Sequence, residues 1–151
     1  GTLENLPAQN VDTGMGLERI TATLNGEKTV YNTDIFSDII SSISTELALE
    51  YNAENMHAIR VIADHCRTAT VMISDGVLPS NVDQGYVLRR LIRRAVRQAY
   101  SIGHTGVFLN KVAETVIDKL GQAYPHMIEK KSEIIDEILR EEKQFGETLE
   151  K

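Results

Sequence analysis

Tryptophan is absent, and phenylalanine and tyrosine bring aromatic content to only 5% of the 151 residues. A stacking platform for single-stranded bases is therefore poorly supplied. Cysteine is reduced to Cys66, which excludes an internal disulfide and fits a reducing, cytoplasmic compartment. No apolar run approaches the ~20 residues that cross a bilayer, and mean hydropathy is −0.21. The chain opens on polar residues with no basic-then-apolar lead, so neither a membrane partner nor a signal peptide is expected. Cations are in the minority, with 16 Lys and Arg against 22 Asp and Glu for a net charge of −6. That balance argues against a general nucleic-acid binder, and no DNA partner is expected, but it leaves room for a local basic patch.

What is present is a normal apolar supply, 42% of residues, enough for one compact unit with a core. Its periodicity is helical nearly throughout, so the fold class is mainly α. Ile35, Ile39, Ile43 and Leu47 recur at helical spacing within 35–51, behind the N-cap candidates Asn32, Thr33 and Asp34. Met56, Ile59, Ala63, Cys66, Thr70 and Ile73 share a face within 54–74. Further helices are predicted over 85–103, closed by Gly103, and 107–121, closed by Gly121. Pro125 suits the start of one long helix over 125–151, whose heptad-like seam of Ile128, Ile135, Ile138, Phe145 and Leu149 is interrupted by Lys131 and Glu142. Asn25-Gly26 marks a turn, and 10–20 reads as a short strand or turn feeding a helix.

Charge is concentrated on the predicted helix over 85–103. Arg89, Arg90, Arg93, Arg94 and Arg97 occur with no acid among them. At ~100° per residue they fill one arc of about 140°, with Leu88, Leu91, Ile92, Ala95, Val96 and Ala99 on the other side. Such a face is either a solvated surface whose arginines pair with acids elsewhere or a ridge that grips phosphate. Arginine suits the second task because its planar fork donates two parallel hydrogen bonds to phosphate oxygens. Asn81, in the preceding loop, is a natural N-cap or turn residue, and it also offers a donor and an acceptor at one point. Asp64 lies between Arg60 and Arg67 at ion-pair spacing. His65 and Cys66 point ~100° apart on a helix, so no metal site is expected there. A buried, inert thiol is expected at Cys66. On these features alone, a non-catalytic helical module docking an acidic protein or generic phosphate is a rival to any nucleic-acid reader.

The stretch "VDTGMGLERI" at 11–20 is neither a dinucleotide fingerprint nor a P-loop, since Arg19 stands where a third glycine belongs and no Gly-Lys-Ser/Thr follows. It is similar to the third signature motif of class II aminoacyl-tRNA synthetases. Together with "VIADHCRTATVMISDGVLPSN" and "GYVLRRLIRRAV", in this order and spacing, the chain resembles the bacterial alanyl-tRNA synthetase family, most strongly over 11–20 and 60–97. The resemblance implies that 1–28 ends an aminoacylation domain with a strand and helix, and that 29–151 is a helical tRNA-recognition domain, incomplete at its end. It implies Arg19 as the ATP-contacting arginine, Asp12 near the alanine ammonium, and Gly14 and Gly16 under the nucleotide. It makes Asn81 a reader of the G·U wobble pair in the acceptor stem of tRNA(Ala), beside Arg93 and its neighbours on the basic helix. The implied cofactor is ATP with Mg2+, and the implied reaction joins alanine to tRNA(Ala), releasing AMP and pyrophosphate. Signature motifs 1 and 2 are expected upstream, and an editing region with a zinc cluster downstream, so this piece is expected to be inactive alone and to bind no zinc. Gln84 stands where the resemblance leads one to expect arginine, removing one phosphate contact, and Cys66 takes an often aliphatic position.

Overall fold

The computed structural model describes residues 4–5 and 7–149. Among these, the regular structure is helical: α1 (Leu17–Leu24), a 3-10 turn at Val30–Asn32, α2 (Asp34–Leu47), α3 (Met56–Ser74), α4 (Asp83–Ser101), α5 (Leu109–Leu120), α6 (Pro125–Glu129) and α7 (Lys131–Leu149). The expected strand before α1 is not found among the described residues. Residues 9–16 are exposed and carry no regular secondary structure, and none of their backbone groups enters a sheet ladder among the described residues. A strand exists only through pairing, and no pairing partner for this segment is found among the described residues.

The helices form because each carries one apolar face wide enough to reach a common core. Ile39 and Ile43 of α2, Ile59, Ile62 and Ile73 of α3, Leu88 and Ile92 of α4, Val112 and Ile117 of α5, and Ile134 and Ile138 of α7 are all buried in one cluster. The most extensive helix pairing is α3 against α4, and both helices bury small residues, Ala63 and Ala69 on α3 and Ala95 and Ala99 on α4. Predicted boundaries move by a few residues. α2 stops at Leu47 because Ala48 turns left-handed, φ 52°, with the Leu49 N–H donating back to the Ser44 carbonyl.

The long C-terminal helix is two helices, broken at Lys130. Ile128, expected in the seam, is exposed, and the Lys130 ammonium donates to the Ser74 carbonyl at the end of α3, 2.8 Å away. Beyond the break, the buried positions of α7 are Ile134, Ile138, Glu141 and Glu142. The last two are acids inside an apolar stripe, and both have work there.

Candidate nucleic-acid interface

The loop at 77–82 is seated on α4 by an intimate backbone contact. A Cβ at Gly85 would lie 2.2 Å from the Ser80 hydroxyl oxygen and 2.5 Å from the Leu78 carbonyl, so only glycine lets the loop press so close. The Ser80 N–H donates to the Gly85 carbonyl at 3.1 Å, and the Ser80 hydroxyl donates to the Val82 carbonyl at 2.9 Å. Asn81 is not the helix cap. Val82 occupies that position, and the Asn81 side-chain oxygen instead accepts a hydrogen bond from Nη1 of Arg89.

The arginine arc divides in two. Arg89 and Arg93 lean toward α7, where Oε1 of buried Glu141 accepts from Nε of Arg93 at 2.6 Å and lies 3.5 Å from Nε of Arg89. The Arg93 guanidinium also lies over the Phe145 ring, 5.2 Å from its centroid. Arg90, Arg94 and Arg97 are exposed and make no ion pair among the described residues. Arg90 covers the face of Tyr86 at 5.7 Å. An open cleft of ≈ 670 Å³ has Arg90, Arg93, Arg94, Arg97, His65 and Phe145 among its lining residues. A second hollow of ≈ 300 Å³, lined by Asn81, Tyr86, Arg89, Arg90 and Arg93, shares Arg90 and Arg93 with it. The result is a continuous cationic groove along α4 with an exposed amide at one end. Gln84, at the place where an arginine was expected, is exposed at the start of α4.

Asp12, Gly14, Gly16 and Arg19 are all exposed. Gly14 has open space where a Cβ would stand, and the Arg19 side chain folds over Gly16, 3.6 Å from the same position there. The chemistry of these residues suits a nucleotide, with a guanidinium beside bare backbone. They do not enclose one among the described residues, and no step through ATP follows from their geometry. Arg19 lies on α1, which an ion pair between Glu18 and Arg67 joins to α3, and Asn81 lies in the loop that follows α3.

Arg67 is thereby taken from Asp64, and Arg60 donates to the Tyr51 hydroxyl at 2.7 Å, so the expected ion pairs of Asp64 are replaced by a 3.0 Å contact with His65. Cys66 is buried, with its thiol pushed up to about 12 by burial and the nearby Glu142 charge, which makes it a poor nucleophile.

Sequence reading missed Glu141 and Gly85, and it noted Glu142 only as a break in the seam, without its role. For Glu142 a signal existed, because it stands where the heptad rhythm of the C-terminal stretch calls for an apolar residue; for Glu141, one position outside that rhythm, there was none. For Gly85 there was none, because a close approach is invisible without the approaching loop.

A family model described as class II tRNA synthetases (A) matches residues 1–151. An alanine–tRNA ligase of Pseudoalteromonas translucida (strain TAC 125) is 49% identical over 154 residues, covering 100% of this chain. Those of Endomicrobium trichonymphae and Fervidobacterium nodosum (strain ATCC 35602 / DSM 5306 / Rt17-B1) are each 45% identical over 99% of it. The chain spans 17% of the length of each of these relatives.

Proposed function

Since this chain belongs to the alanyl-tRNA synthetase family, within the class II (A) tRNA synthetases, we propose that it is the part of an alanine–tRNA ligase that grips the acceptor stem of tRNA(Ala) and reads its G·U pair. The whole reaction would join alanine to the tRNA with ATP and Mg2+, releasing AMP and pyrophosphate. In it, Arg19 would face the nucleotide over Gly14 and Gly16, with Asp12 beside the alanine ammonium. Residues 1–28 would close the aminoacylation domain and 29–151 would form the recognition domain.

One observation carries the reading: the groove along α4 combines three guanidinium groups that make no ion pair among the described residues with an exposed, oriented amide at its end. Phosphate contacts position a nucleic acid, and a base-edge contact specifies it. Arg90, Arg94 and Arg97 supply the first and Asn81 the second. The minor groove of A-form RNA, wide and shallow, is the side an asparagine on a loop can reach. A protein ligand is the weaker alternative, because an acidic protein would leave the amide without a task.

The test is titration of the chain with two acceptor-stem hairpins, one G·U and one G·C, at several salt concentrations. The G·U stem should bind more tightly, with the preference lost in Asn81→Ala while the salt dependence stays. Equal binding of both stems by the wild type would overturn the assignment of base reading to this chain. Absence of binding even at low salt would overturn the phosphate grip as well.

A further inference from the structure

We propose that Glu141 is a positioning residue for Asn81. Acting through Arg89, it holds the amide with its oxygen inward and its NH2 outward, so that position 81 meets RNA as a hydrogen-bond donor. This inference rests on reading the groove as an RNA interface and adds the polarity of the contact and the residue that sets it.

The chain of contacts is complete. Glu141, 5% exposed, projects from α7, accepts from Nε of Arg93 at 2.6 Å and pairs by charge with Nε of Arg89 at 3.5 Å. Arg89 in turn donates from Nη1 to Asn81 and comes within 3.5 Å of the Ser80 carbonyl. A guanidinium carries donors only, so the amide atom facing Arg89 must be the oxygen, and the nitrogen must face away. An exposed asparagine amide otherwise rotates freely about its last bond. Here its orientation is inherited from a buried carboxylate on a different helix, which is how a rigid second layer orients a recognition group.

The polarity has a consequence for what is read. An outward NH2 matches acceptors that the minor groove displays: uracil O2, guanine N3 or a ribose 2′-hydroxyl. It does not match the guanine amino group, itself a donor. A wobble pair slides its uracil toward the major groove relative to a Watson–Crick cytosine, so the same acceptors occupy different places in the two stems. A fixed donor can distinguish those places; a rotating amide cannot.

Glu141 also neutralises two arginines, and this separates the proposal from a merely structural role. In Glu141→Gln the groove gains positive charge, so both stems should bind more tightly. The ratio of G·U to G·C affinity should nevertheless fall toward one, by about 2- to 10-fold, the range of one hydrogen bond. Arg89→Lys, which keeps the charge but loses the fork, should lower the ratio in the same way. Asn81→Asp, which keeps the acceptor for Arg89 and removes the NH2, should lose the preference as fully as Asn81→Ala.

The deciding experiment measures these ratios on the 151-residue chain, together with 1H–15N heteronuclear NOEs of the Asn81 side-chain amide without RNA. The expected result is a rigid amide in the wild type, a mobile one in Glu141→Gln and Arg89→Lys, and the matching loss of preference. An amide equally rigid in all three would overturn the relay whatever the RNA does. A preference retained in Asn81→Asp would overturn the donor assignment. If the wild type binds both stems alike, the underlying RNA reading fails and takes the donor assignment with it, while the NOEs still decide whether Glu141 orients the amide.

Discussion

Two adjacent acids on α7 hold unlike positions. Glu141 meets guanidinium groups and serves as their counter-charge. Glu142 faces the start of α5, where its carboxylate accepts from the N–H groups of Phe108 at 3.1 Å and Leu109 at 3.1 Å. It thus caps a helix that has no capping side chain of its own, from 33 residues away. Burial pushes the Glu142 carboxyl up to about 7, and the two backbone N–H bonds pull it back only in part. A folded pKa above the ordinary 4.5 means that the group stabilises the fold fully below pH 4.5. That contribution, on the order of 3 kcal/mol, is lost as pH rises toward 7. Glu142→Gln should therefore remove much of the fall in stability between pH 4.5 and 7, read as urea midpoints at a series of pH values. A variant with the wild-type pH profile would assign that fall to other groups.

At the scale of the element, α4 is a helix with two kinds of arginine on one arc. Each phosphate neutralised by a cation adds about one to the slope of log affinity against log salt, slightly less in single strands. Arg94→Ala should accordingly reduce the slope by about one unit at most. Arg93→Ala should leave it nearly unchanged and lower stability instead, because Glu141 loses its 2.6 Å partner and a buried carboxylate is left under-compensated. Salt titrations and urea unfolding of the two variants check both halves. The arc itself was legible from 3.6-residue periodicity. Which arginines on it are committed was not, because their acid lies far along the chain, 48 residues beyond Arg93. The same limit explains the C-terminal helix: Pro125 and the apolar rhythm marked its start and its buried face, but the break at Lys130 accompanies a contact with the end of α3.

Over the whole molecule, α2 to α7 share one core, while α1 buries only Ala22. α1 is tied to α3 chiefly by the pair between Glu18 and Arg67, whose guanidinium also covers the Phe36 ring at 5.2 Å. Burial raises the Glu18 carboxyl, but a backbone hydrogen bond and Arg67 outweigh it and hold the pKa below the ordinary value. This tie is therefore present above pH 4.5 and is lost as pH falls through the lower folded value, opposite in sign to Glu142. Glu18→Gln should speed hydrogen exchange across Leu17–Leu24 severalfold at neutral pH and leave α3 and α4 protected. Uniform exchange changes throughout would mean that α1 unfolds only with the core.

Residue order and spacing alone determined that the chain is helical, which faces of its helices are apolar, where Gly103, Gly121 and Pro125 punctuate them, and that five arginines share one arc. These properties depend on contacts within a few residues, and helical geometry converts them directly from spacing to direction. The family resemblance, later matched over the whole chain, also came from residue order. The tertiary structure decided what local spacing does not encode: that Asn81 holds Arg89 and does not cap α4, that Glu141 claims two of the five arginines, that Glu142 caps α5, and that 9–16 enters no sheet among the described residues. Each depends on which distant group arrives at a given side chain, and that is set by how the apolar faces of several helices fit together around one core.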